Sequence, residues 1–391
     1  MTLPRLDILL YAHDGRGLGH ISRTVAIGMA LRRLYPSLRV LIVTGCASTN
    51  ELIHCASLDW LKLPSYRTEV INGKSHGIDG NSCFTDKELG LLRAESLQQI
   101  VLRYRPKVVL VDHTPQGKHR ELLPALTSAS ELDTRWVLGV RGVVGTVPQA
   151  GSTLSQQLFS DYFTQLIWYG DNRVLGANQL KQLESQYNRQ PVKCGYVSRL
   201  QELSYLQDNK NCHKTLAGTI AIPWLGEHSQ HVLTCIAGAL KNIGPVHGDW
   251  HLFANLEPDH HGHIISSLQQ LPYCHLQPPG PEYLEALLHS KTALIYGGYN
   301  SLTDVLAAGL PAVVLLRAMQ DNEQQMHLHM LHKYTNDQLL SIDEGQLTEK
   351  IIEMGLRTQL QKTPLTVEIN LQGAENAARQ LVMQSKEIRL P

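Results

Sequence analysis

The chain contains two successive series of short, apolar, β-branched segments that alternate with segments of helical spacing. In its first half, the predicted buried strands are residues 6–11, 39–44, 107–112, 135–140 and 165–169. The predicted helices that separate them are residues 21–34, 87–104, 120–130 and 153–163. Strands that alternate with helices pair in parallel through right-handed crossovers, so this half predicts a doubly wound α/β sheet.

A second series of the same kind follows. Its predicted strands are residues 219–223, 250–255, 292–296 and 312–316, and its predicted helices are residues 230–241, 281–289, 302–308 and 323–332. A chain of 391 residues exceeds the size of a single core, so we expect two Rossmann-like domains, residues 1–199 and 215–370. We expect a linker at residues 200–214 and, at residues 371–391, a helix that packs back on the N-terminal domain. The expected ligand site is the cleft that the two domains face.

One segment interrupts the first series. Residues 65–85 are polar and contain glycine, and they are long for a loop without secondary structure. Insertions of this kind are usually functional or mobile. We expect an acceptor to bind near this segment.

Charge and cysteine usage exclude several classes of protein. Lys and Arg total 35, as do Asp and Glu, and aromatic residues make up 6%, which disfavours a nucleic-acid partner. The seven cysteines form no C-x-x-C pair, so neither a disulfide framework nor a cysteine zinc site is expected. The first residues lack the pattern of a signal peptide, and no apolar stretch approaches 18 residues. We expect a cytoplasmic protein without a transmembrane segment, and peripheral membrane contact stays open.

The first predicted strand ends in a glycine loop, with the sequence HDGRGLGH at residues 13–20, and a helix follows. Glycines allow close backbone approach, and a helix N-terminus attracts anions, so His13, Gly17 and Gly19 are predicted to form an acceptor or phosphate loop. The spacing is G-x-G-x-G, whereas a dinucleotide fold has G-x-G-x-x-G. The second strand also ends in Thr44-Gly45, where an NAD-binding fold needs an acidic residue. The loop therefore disfavours a nicotinamide cofactor.

A second glycine loop, GGYNS at residues 297–301, lies between a predicted strand and a predicted helix. The backbone amides of Asn300 and Ser301, with the Ser301 hydroxyl, would point toward the oxygens of a pyrophosphate. Asp304, one turn further, would accept hydrogen bonds from ribose hydroxyls. Gly297 and Gly298 would allow the phosphates to approach. The alternative is a glycine-rich turn that only packs a helix on a strand.

Residues 296–325 resemble the C-terminal donor-site signature of GT-B glycosyltransferases of families 1 and 28. The shared pattern is a glycine pair, a serine, an acidic residue, an Ala-Gly-Leu-Pro turn, and Asp or Gln residues beyond the next strand. These families include the enzyme that transfers N-acetylglucosamine from UDP-GlcNAc to a lipid-linked muramyl-pentapeptide. The segments GLGH (17–20), DHTP (112–115), GVRG (139–142) and CGYV (194–197) are also similar to bacterial proteins described as predicted glycosyltransferases.

The resemblance covers both domains in order. It implies a GT-B fold, an N-terminal acceptor-binding domain, and a C-terminal domain that binds a nucleotide sugar, with UDP as the expected nucleotide. It also implies an inverting transfer in which helix N-termini support the leaving diphosphate, so no metal and no cofactor are expected. The residues that it assigns to the donor, beyond the glycine loop, are Asp321, Gln324 and Gln325 at the sugar and the segment 275–277, with His275, at the base. Arg317 is a candidate for an added cation at the diphosphate. Asp321 has an alternative role as the cap of a solvated helix.

His20 is the candidate general base. It lies at the start of the first helix, where the helix dipole disfavours a charged imidazole. Asp112 ends a neighbouring strand and is placed to orient it, and the resemblance to family 1 implies such a pair. The alternatives are His13 or Asp14 as the base, or a role for His20 in capping or loop packing.

Two segments weaken or limit these assignments. Residues 223–229 (PWLGEHS) hold one glycine and a tryptophan where relatives have a glycine- or serine-rich phosphate loop. Residues 259–263 (DHHGH) resemble a metal site, but adjacent histidines rarely converge on one ion, so we expect a polar surface loop there.

The sequence therefore favours a glycosyltransferase and leaves two alternatives open. One is a sugar-nucleotide epimerase or hydrolase on the same fold, and the other is a non-catalytic partner subunit. The acceptor is unidentified, and a small metabolite, a natural product and a lipid-linked glycan all stay open.

Overall fold

A computed structural model describes residues 5–13, 18–54, 56–71, 74–78, 83–142, 151–206, 213–222, 225, 228–317 and 322–386. The chain divides into two compact units. The first unit is Met1–Glu202 together with Ile369–Pro391, and the second is Leu203–Glu368. Each unit is built on its own parallel sheet.

The sheet of the first unit has seven parallel strands. They are β1 (Ile8–Ala12), β2 (Val40–Thr44), β3 (Asp59–Lys62), β6 (Val108–Asp112), β7 (Arg135–Arg141), β8 (Phe163–Tyr169) and β9 (Val192–Lys193), in the order β3-β2-β1-β6-β7-β8-β9. A separate antiparallel hairpin pairs β4 (Arg67–Ile71) with β5 (Lys74–Ile78). The helices are α1 (Gly19–Leu34), α2 (Thr49–Ile53), α3 (Asp86–Tyr104), α4 (Leu123–Ser128), α5 (Thr153–Tyr162), α6 (Asn172–Leu175), α7 (Asn178–Tyr187) and α8 (Arg199–Leu206).

The second unit has a six-stranded parallel sheet. Its strands are β10 (Leu216–Ile222), β11 (Trp250–Ala254), β12 (Cys274–Gln277), β13 (Ser290–Tyr296), β14 (Ala312–Leu316) and β15 (Leu339–Asp343), in the order β12-β11-β10-β13-β14-β15. Its helices are α9 (Ser229–Ile243), α10 (Pro258–Gln269), α11 (Glu282–His289), α12 (Tyr299–Ala308), α13 (Glu323–Thr335) and α14 (Glu349–Leu360). After it, α15 (Gly373–Lys386) belongs to the first unit and packs against α1.

Both sheets reverse their direction of growth at an equivalent place. The reversal lies between β1 and β6 in the first sheet and between β10 and β13 in the second. In open parallel sheets, ligands bind beyond the carboxyl ends of the strands at this point. The two glycine loops of the sequence follow β1 and β13, so each lies at the reversal of its own sheet.

The central strands are apolar because helices cover both of their faces. All five residues of β1, β6 and β14 are buried. At the edge, β3 is mostly exposed, and its sequence DWLK has charged ends. This is why the apolar pattern predicts the inner strands and passes over the edge.

Three local predictions differ from the structure. The first part of the predicted linker, residues 200–206, continues α8, and residues 207–212 lie outside the described residues. The predicted insertion contains the β4–β5 hairpin. The prediction of a surface loop at residues 259–263 is wrong, because Pro258 starts α10 there and proline is favoured in the first turn of a helix. None of the helices within the described ranges is long and apolar enough to cross a membrane.

Candidate active site

The first unit brings His20 and Asp112 into contact. Tyr11 of β1 is in register with Val111 of β6, so the chain leaves both strands at the same edge of the sheet. Asp112 is the last residue of β6, and His20 lies in the first turn of α1, which follows β1. Nδ1 of His20 is 2.6 Å from Oδ2 of Asp112. The side chain of His20 is 20% exposed and that of Asp112 is 2% exposed, so the pair is open on the histidine side.

Arg23 is the third member of this contact. Its Nη2 donates to Oδ2 of Asp112 at 2.8 Å, and its Nε donates to Oδ1 at 3.3 Å. The same Nη2 lies 3.1 Å from Nδ1 of His20. A carboxylate only accepts hydrogen bonds, so Nδ1 of His20 carries the proton and donates it to Asp112. Nε2 of His20 is then the unprotonated nitrogen, which is the form that a general base needs.

Two further histidines surround His20. The ring centroid of His13 is 4.0 Å from that of His20, and the ring centroid of His113 is 5.2 Å from it. His13 follows β1 and His113 follows β6, so three imidazoles meet at the reversal of the sheet. The Nδ1 atoms of His13 and His113 are buried and have no hydrogen-bond partner among the described residues.

The backbone of His113 is strained. Its φ is +85°, in the left-handed region that non-glycine residues rarely adopt. Its N–H donates to the carbonyl of Gly139 in β7 at 2.8 Å, which holds this conformation. Strained residues of this kind concentrate at functional sites.

The surroundings keep His20 neutral. Burial lowers the pKa of His20 well below its ordinary value, and the positive charges of Arg23, Arg141 and Lys118 lower it further. From the sequence we expected the helix dipole to be the cause. Burial and nearby cations are the main causes in the structure.

The other two imidazoles are neutral for related reasons. Burial is the largest cause that lowers the pKa of His13, and His20 is the next. Burial also lowers the pKa of His113, followed by His20, His13 and Arg141. Three neutral imidazoles therefore offer donors and acceptors of hydrogen bonds to a polar ligand.

A buried ion pair supports the short 3-10 helix that carries Lys118. Arg93 of α3 donates to both carboxylate oxygens of Glu121, at 2.5 and 2.9 Å, and both side chains are fully buried. Tyr11 donates to the same carboxylate from β1, and burial raises the pKa of Tyr11. The Lys118 ammonium lies 4.7 Å above the Tyr66 ring. This network fixes the start of the insertion and the residues after β6 against the sheet.

In the second unit, the glycine loop starts a helix as the sequence predicts. Gly298 precedes the first residue of α12 with φ −70° and ψ 149°, and no side chain caps the helix. The first amides of a helix lack intrahelical partners, so α12 presents donors to an anion. A Cβ on Gly298 would meet no atom within 4 Å, so space is open there. The helix ends at Gly309, which adopts the left-handed conformation that glycine tolerates.

Asn300 and Ser301 lie half-buried in the first turn of α12. Asp304 lies one turn further and is 7% exposed. The hydroxyl of Thr303 donates to the carbonyl of Asn300 at 2.8 Å, which reinforces this turn. The roles of Asn300, Ser301 and Asp304 toward a donor stay predictions.

Arg317 is held within the second unit. Its guanidinium lies 3.9 Å above the Tyr296 ring, and the whole residue is 7% exposed. The Tyr296 hydroxyl donates to Glu344 at 2.7 Å, and Glu344 also attracts the Arg317 charge. Arg317 therefore braces the carboxyl ends of β13 and β14, and its predicted role toward a diphosphate stays a prediction.

Gln324 and Gln325 open α13 beside the glycine loop. Gln324 accepts a hydrogen bond from the amide of Arg317 at 3.4 Å, and its Cβ lies 3.5 Å from the position of a Cβ on Gly297. The Oε1 of Gln325 is buried and has no partner among the described residues. The Gln324 side chain is thus placed beside the glycine loop that precedes α12.

His275 lies at the amino end of β12, where its Nε2 is 3.1 Å from Asp249. Ligands of parallel sheets bind at the opposite, carboxyl ends. Gln277, the last residue of β12, lies at that end, and its Oε1 is buried without a partner in the described part of the chain. The prediction for His275 is untested, and Gln277 is the better-placed member of the same segment.

Some predicted residues lie outside the described ranges. They are Asp14, Gly17 and Asp321, together with Pro223, Trp224, Gly226 and Glu227 of the atypical loop. Gly19 is described and is the first residue of α1. Among the described side chains, no group of three or more His, Cys, Asp and Glu residues is arranged to hold a metal ion.

Arg23 was not among the predicted site residues, and no role was predicted for His113, Arg141 or Lys118. A signal for Arg23 existed, because it follows His20 by three residues on a helix, and such residues lie on one face. No signal placed Lys118, since its position depends on the 3-10 helix and the Arg93–Glu121 pair.

No protein-family model matches the chain, and no curated protein sequence matches it. Solved structures, however, are similar to the chain. MurG of Acinetobacter baumannii is similar with a TM-score of 0.55 and 14% identity, covering 98% of this chain and 100% of that one. UDP-GlcNAc 2-epimerase of Neisseria meningitidis bound to UDP-GlcNAc has a TM-score of 0.64 and 12% identity, covering 97% and 100%. The spinosyn forosaminyltransferase has a TM-score of 0.55 and 13% identity, covering 98% and 95%.

These similarities extend over almost the whole chain and include both parallel-sheet units. At such low identity they show the fold alone. The chain has the GT-B fold with two Rossmann-like units, which confirms the predicted fold class and the predicted structural resemblance to GT-B glycosyltransferases.

Proposed function

We propose that this protein is a glycosyltransferase that moves a sugar from a UDP-linked donor to a hydroxyl group of an acceptor, with inversion. The observation that carries the proposal is the 2.6 Å hydrogen bond between His20 and Asp112 at the reversal of the first sheet. It presents a neutral imidazole nitrogen at the edge where parallel sheets bind ligands. A group of this kind activates a hydroxyl, which is the step that sugar transfer to an acceptor requires.

His20 takes the proton of the acceptor hydroxyl on Nε2 as the oxygen attacks the anomeric carbon. Asp112 keeps the ring in the Nδ1–H tautomer and stabilises the imidazolium that forms. General-base assistance of this kind contributes on the order of 10²–10⁴-fold to the rate. His13 and His113 offer further polar contacts to the acceptor from the same unit.

The second unit binds the donor in this proposal. The N-terminal amides of α12 and the Ser301 hydroxyl bind the diphosphate, and Asp304 binds the ribose. Gln324 and Gln325 contact the sugar, as does Asp321. Gln277 or His275 contacts the base, and Arg317 adds positive charge. Preorganised donors supply a large rate effect for a leaving diphosphate, so we propose a reaction that needs no added metal or cofactor.

Two of the similar structures support a nucleotide-sugar donor. The epimerase of Neisseria meningitidis was solved bound to UDP-GlcNAc, and that of Methanocaldococcus jannaschii with UDP-GlcNAc and UDP. The atypical segment at residues 223–229 leaves the donor sugar open. The acceptor is a small metabolite, a natural product or a lipid-linked glycan.

The test has two steps. A thermal-shift screen of nucleotide sugars is expected to give stabilisation by UDP and by one UDP-sugar. Incubation with that labelled sugar, with and without candidate acceptors and with EDTA, is expected to give an acceptor-dependent product. A free sugar or an epimer without any acceptor would instead support a hydrolase or epimerase, and no UDP-dependent stabilisation would support a non-catalytic subunit.

The variant His20→Ala separates the base from donor binding. It is expected to lose transfer by on the order of 10²–10⁴-fold while UDP stabilisation stays intact, because His20 belongs to the unit that does not carry the donor loop. His263→Ala, at an exposed position of α10, is the matched control. Unchanged transfer in His20→Ala would remove His20 from the mechanism.

A further inference from the structure

Arg23 is held against Asp112 by directed hydrogen bonds and not only by its charge. Two nitrogens of its guanidinium reach the two oxygens of the carboxylate, at 2.8 and 3.3 Å. Arg23 is 3% exposed and Asp112 is 1% exposed, so the contact is shielded from water. A planar guanidinium that holds both oxygens fixes the plane of a carboxylate, which a lysine ammonium does not do.

The contact also reaches the base. Oδ2 of Asp112 accepts hydrogen bonds from both Arg23 and His20. The orientations of the carboxylate and of the imidazole therefore depend on the same oxygen atom. Arg23 and His20 lie one turn apart on α1, and Asp112 comes from β6. Any rotation of the carboxylate away from Arg23 therefore moves the acceptor of the His20 proton.

Charge gives a second reason. A buried carboxylate beside an imidazole favours the imidazolium form, which has no free lone pair on Nε2. Among the described residues, the titratable and charged groups that face His20 are Asp112, His13 and His113, with Arg23 on its own helix, Arg141 at the end of β7 and Lys118 on the 3-10 helix. Arg23 is the first of the cations that lower the pKa of His20, after burial itself.

We propose that Arg23 is a positioning residue for the base: it fixes the carboxylate of Asp112 and offsets its negative charge, so that His20 rests in the neutral Nδ1–H form. Arg23 does not touch the substrate in this proposal and acts through Asp112. The proposal rests on the proposed role of His20 as a base, but its electrostatic part concerns the protein without any substrate.

Two substitutions separate orientation from charge. Arg23→Met removes both, and Arg23→Lys keeps the charge while losing the two-oxygen contact. Arg32→Met is the matched control, because Arg32 lies on the same helix and binds backbone carbonyls away from the site. The double variant Arg23→Met/Asp112→Asn removes both charges and serves if Arg23→Met alone does not fold.

The first measurement is the titration of the His20 imidazole by NMR, in the protein without substrate. Arg23→Met is expected to raise the pKa of His20, and Arg23→Lys and Arg32→Met are expected to leave it low. In the double variant the pKa of His20 is expected to stay as low as in the wild type, since the carboxylate charge is removed together with that of Arg23, and a raised pKa there would contradict the proposal. An unchanged titration of His20 in Arg23→Met would overturn the proposal, whatever the reaction of the protein proves to be.

The second measurement is the pH dependence of kcat. In Arg23→Met, the acidic limb of the pH profile of kcat is expected to move to higher pH. At pH 7, kcat is expected to fall by on the order of 10²-fold or less, and KM for the donor is expected to stay constant. Arg23→Lys is expected to lower kcat without moving the limb. Loss of kcat with an unmoved limb in Arg23→Met would mean a structural role only and would overturn the proposal. If no transfer is found with any donor, the proposed function fails while the NMR titration still decides the role of Arg23.

Discussion

His20 can accept a proton only through Nε2, because its Nδ1 is already engaged by Asp112. The carboxylate of Asp112 accepts the proton of Nδ1, and the positive charge of Arg23 lowers the pKa of the imidazole. At the scale of single residues, function therefore depends on where one proton resides. This placement is open to direct tests.

The variant Asp112→Asn keeps the shape of the side chain and removes its charge. An amide nitrogen facing Nδ1 would favour the wrong tautomer of His20, so transfer is expected to fall by on the order of 10²–10⁴-fold. Donor binding, measured as UDP-dependent stabilisation, is expected to stay unchanged. Asp7→Asn is the control, because Asp7 pairs with Lys107 elsewhere in the same unit. Transfer at the wild-type rate in Asp112→Asn would contradict the assignment.

The histidine cluster predicts how stability depends on pH. The pKa values of His13, His20 and His113 lie below the ordinary value of 6.5 in the folded protein. Above about pH 6.5 these groups are neutral in both states and have no effect. Below it, the unfolded chain takes up protons that the native state does not, so the free energy of unfolding falls as the pH falls.

The variant His113→Asn removes one of these groups and keeps a side chain that tolerates the positive φ at this position. Between about pH 6.5 and 5, its free energy of unfolding should fall less steeply than that of the wild type, by up to about 1.4 kcal/mol per pH unit. Urea unfolding at a series of pH values measures this slope. His263→Asn, at an exposed position, should keep the wild-type slope. A parallel slope in His113→Asn would show that His113 is protonated in the folded protein.

At the scale of elements, the sequence predicted what depends on apolar pattern. The inner strands were found within a few residues, because parallel strands covered on both faces are continuously apolar. Among the helices, α1, α3, α5, α9, α11, α12 and α13 were also found. The pattern missed the edge strands β3, β9 and β15, the helices α7, α10 and α14, and the hairpin of the insertion, which lack a continuous apolar run or depend on tertiary context. The contact of His20 with Asp112 could be predicted from the sequence, because the strand ends at a sheet reversal lie close together. Arg23 was missed although its spacing of three residues from His20 on a helix was a signal, whereas the position of Lys118 depends on the 3-10 helix.

The glycine pair before α12 contains two positions with different constraints. A Cβ on Gly297 would lie 3.0 Å from Leu316 and 3.4 Å from Val314, so Gly297→Ala is expected to cost about 1–3 kcal/mol of stability through overpacking. A Cβ on Gly298 would meet no atom within 4 Å, and its φ of −70° suits alanine. Gly298→Ala is therefore expected to fold like the wild type.

Gly298→Ala should still weaken donor binding, because the added methyl group occupies the open space at the start of α12. Thermal shift with and without UDP separates the two effects. Gly297→Ala should melt earlier in the absence of UDP, whereas Gly298→Ala should melt normally and lose most of its UDP-dependent stabilisation. Normal stabilisation of Gly298→Ala by UDP would place the diphosphate elsewhere.

At the scale of the whole molecule, the GT-B fold explains why two glycine loops occur in one chain, each at the reversal of its own sheet. The fold is shared by transferases and by epimerases, so the order of elements alone leaves the reaction open. The chain also returns to its first unit after completing the second, since Ile369–Pro391 belong with Met1–Glu202. We predicted a helix at residues 371–391 that packs back on the N-terminal domain, although periodicity alone would let an amphipathic helix fit either of two apolar surfaces.

The return gives α15 a role in the stability of a unit that lies mostly before it in sequence. Leu381 of α15 is fully buried, and the helix packs against α1, the helix that carries His20. Leu381→Ala is expected to cost about 2–5 kcal/mol, because it leaves a cavity in this packing. Met383 lies on the same helix at 55% exposure, and Met383→Ala should change stability by less than about 0.5 kcal/mol.

Urea unfolding with and without UDP measures the stability of both variants. The transition that Leu381→Ala weakens should be the one that UDP does not shift, because the donor loop belongs to the other unit. If Leu381→Ala instead weakened the UDP-sensitive transition, or if the two variants were equally stable, α15 would not be a structural part of the first unit.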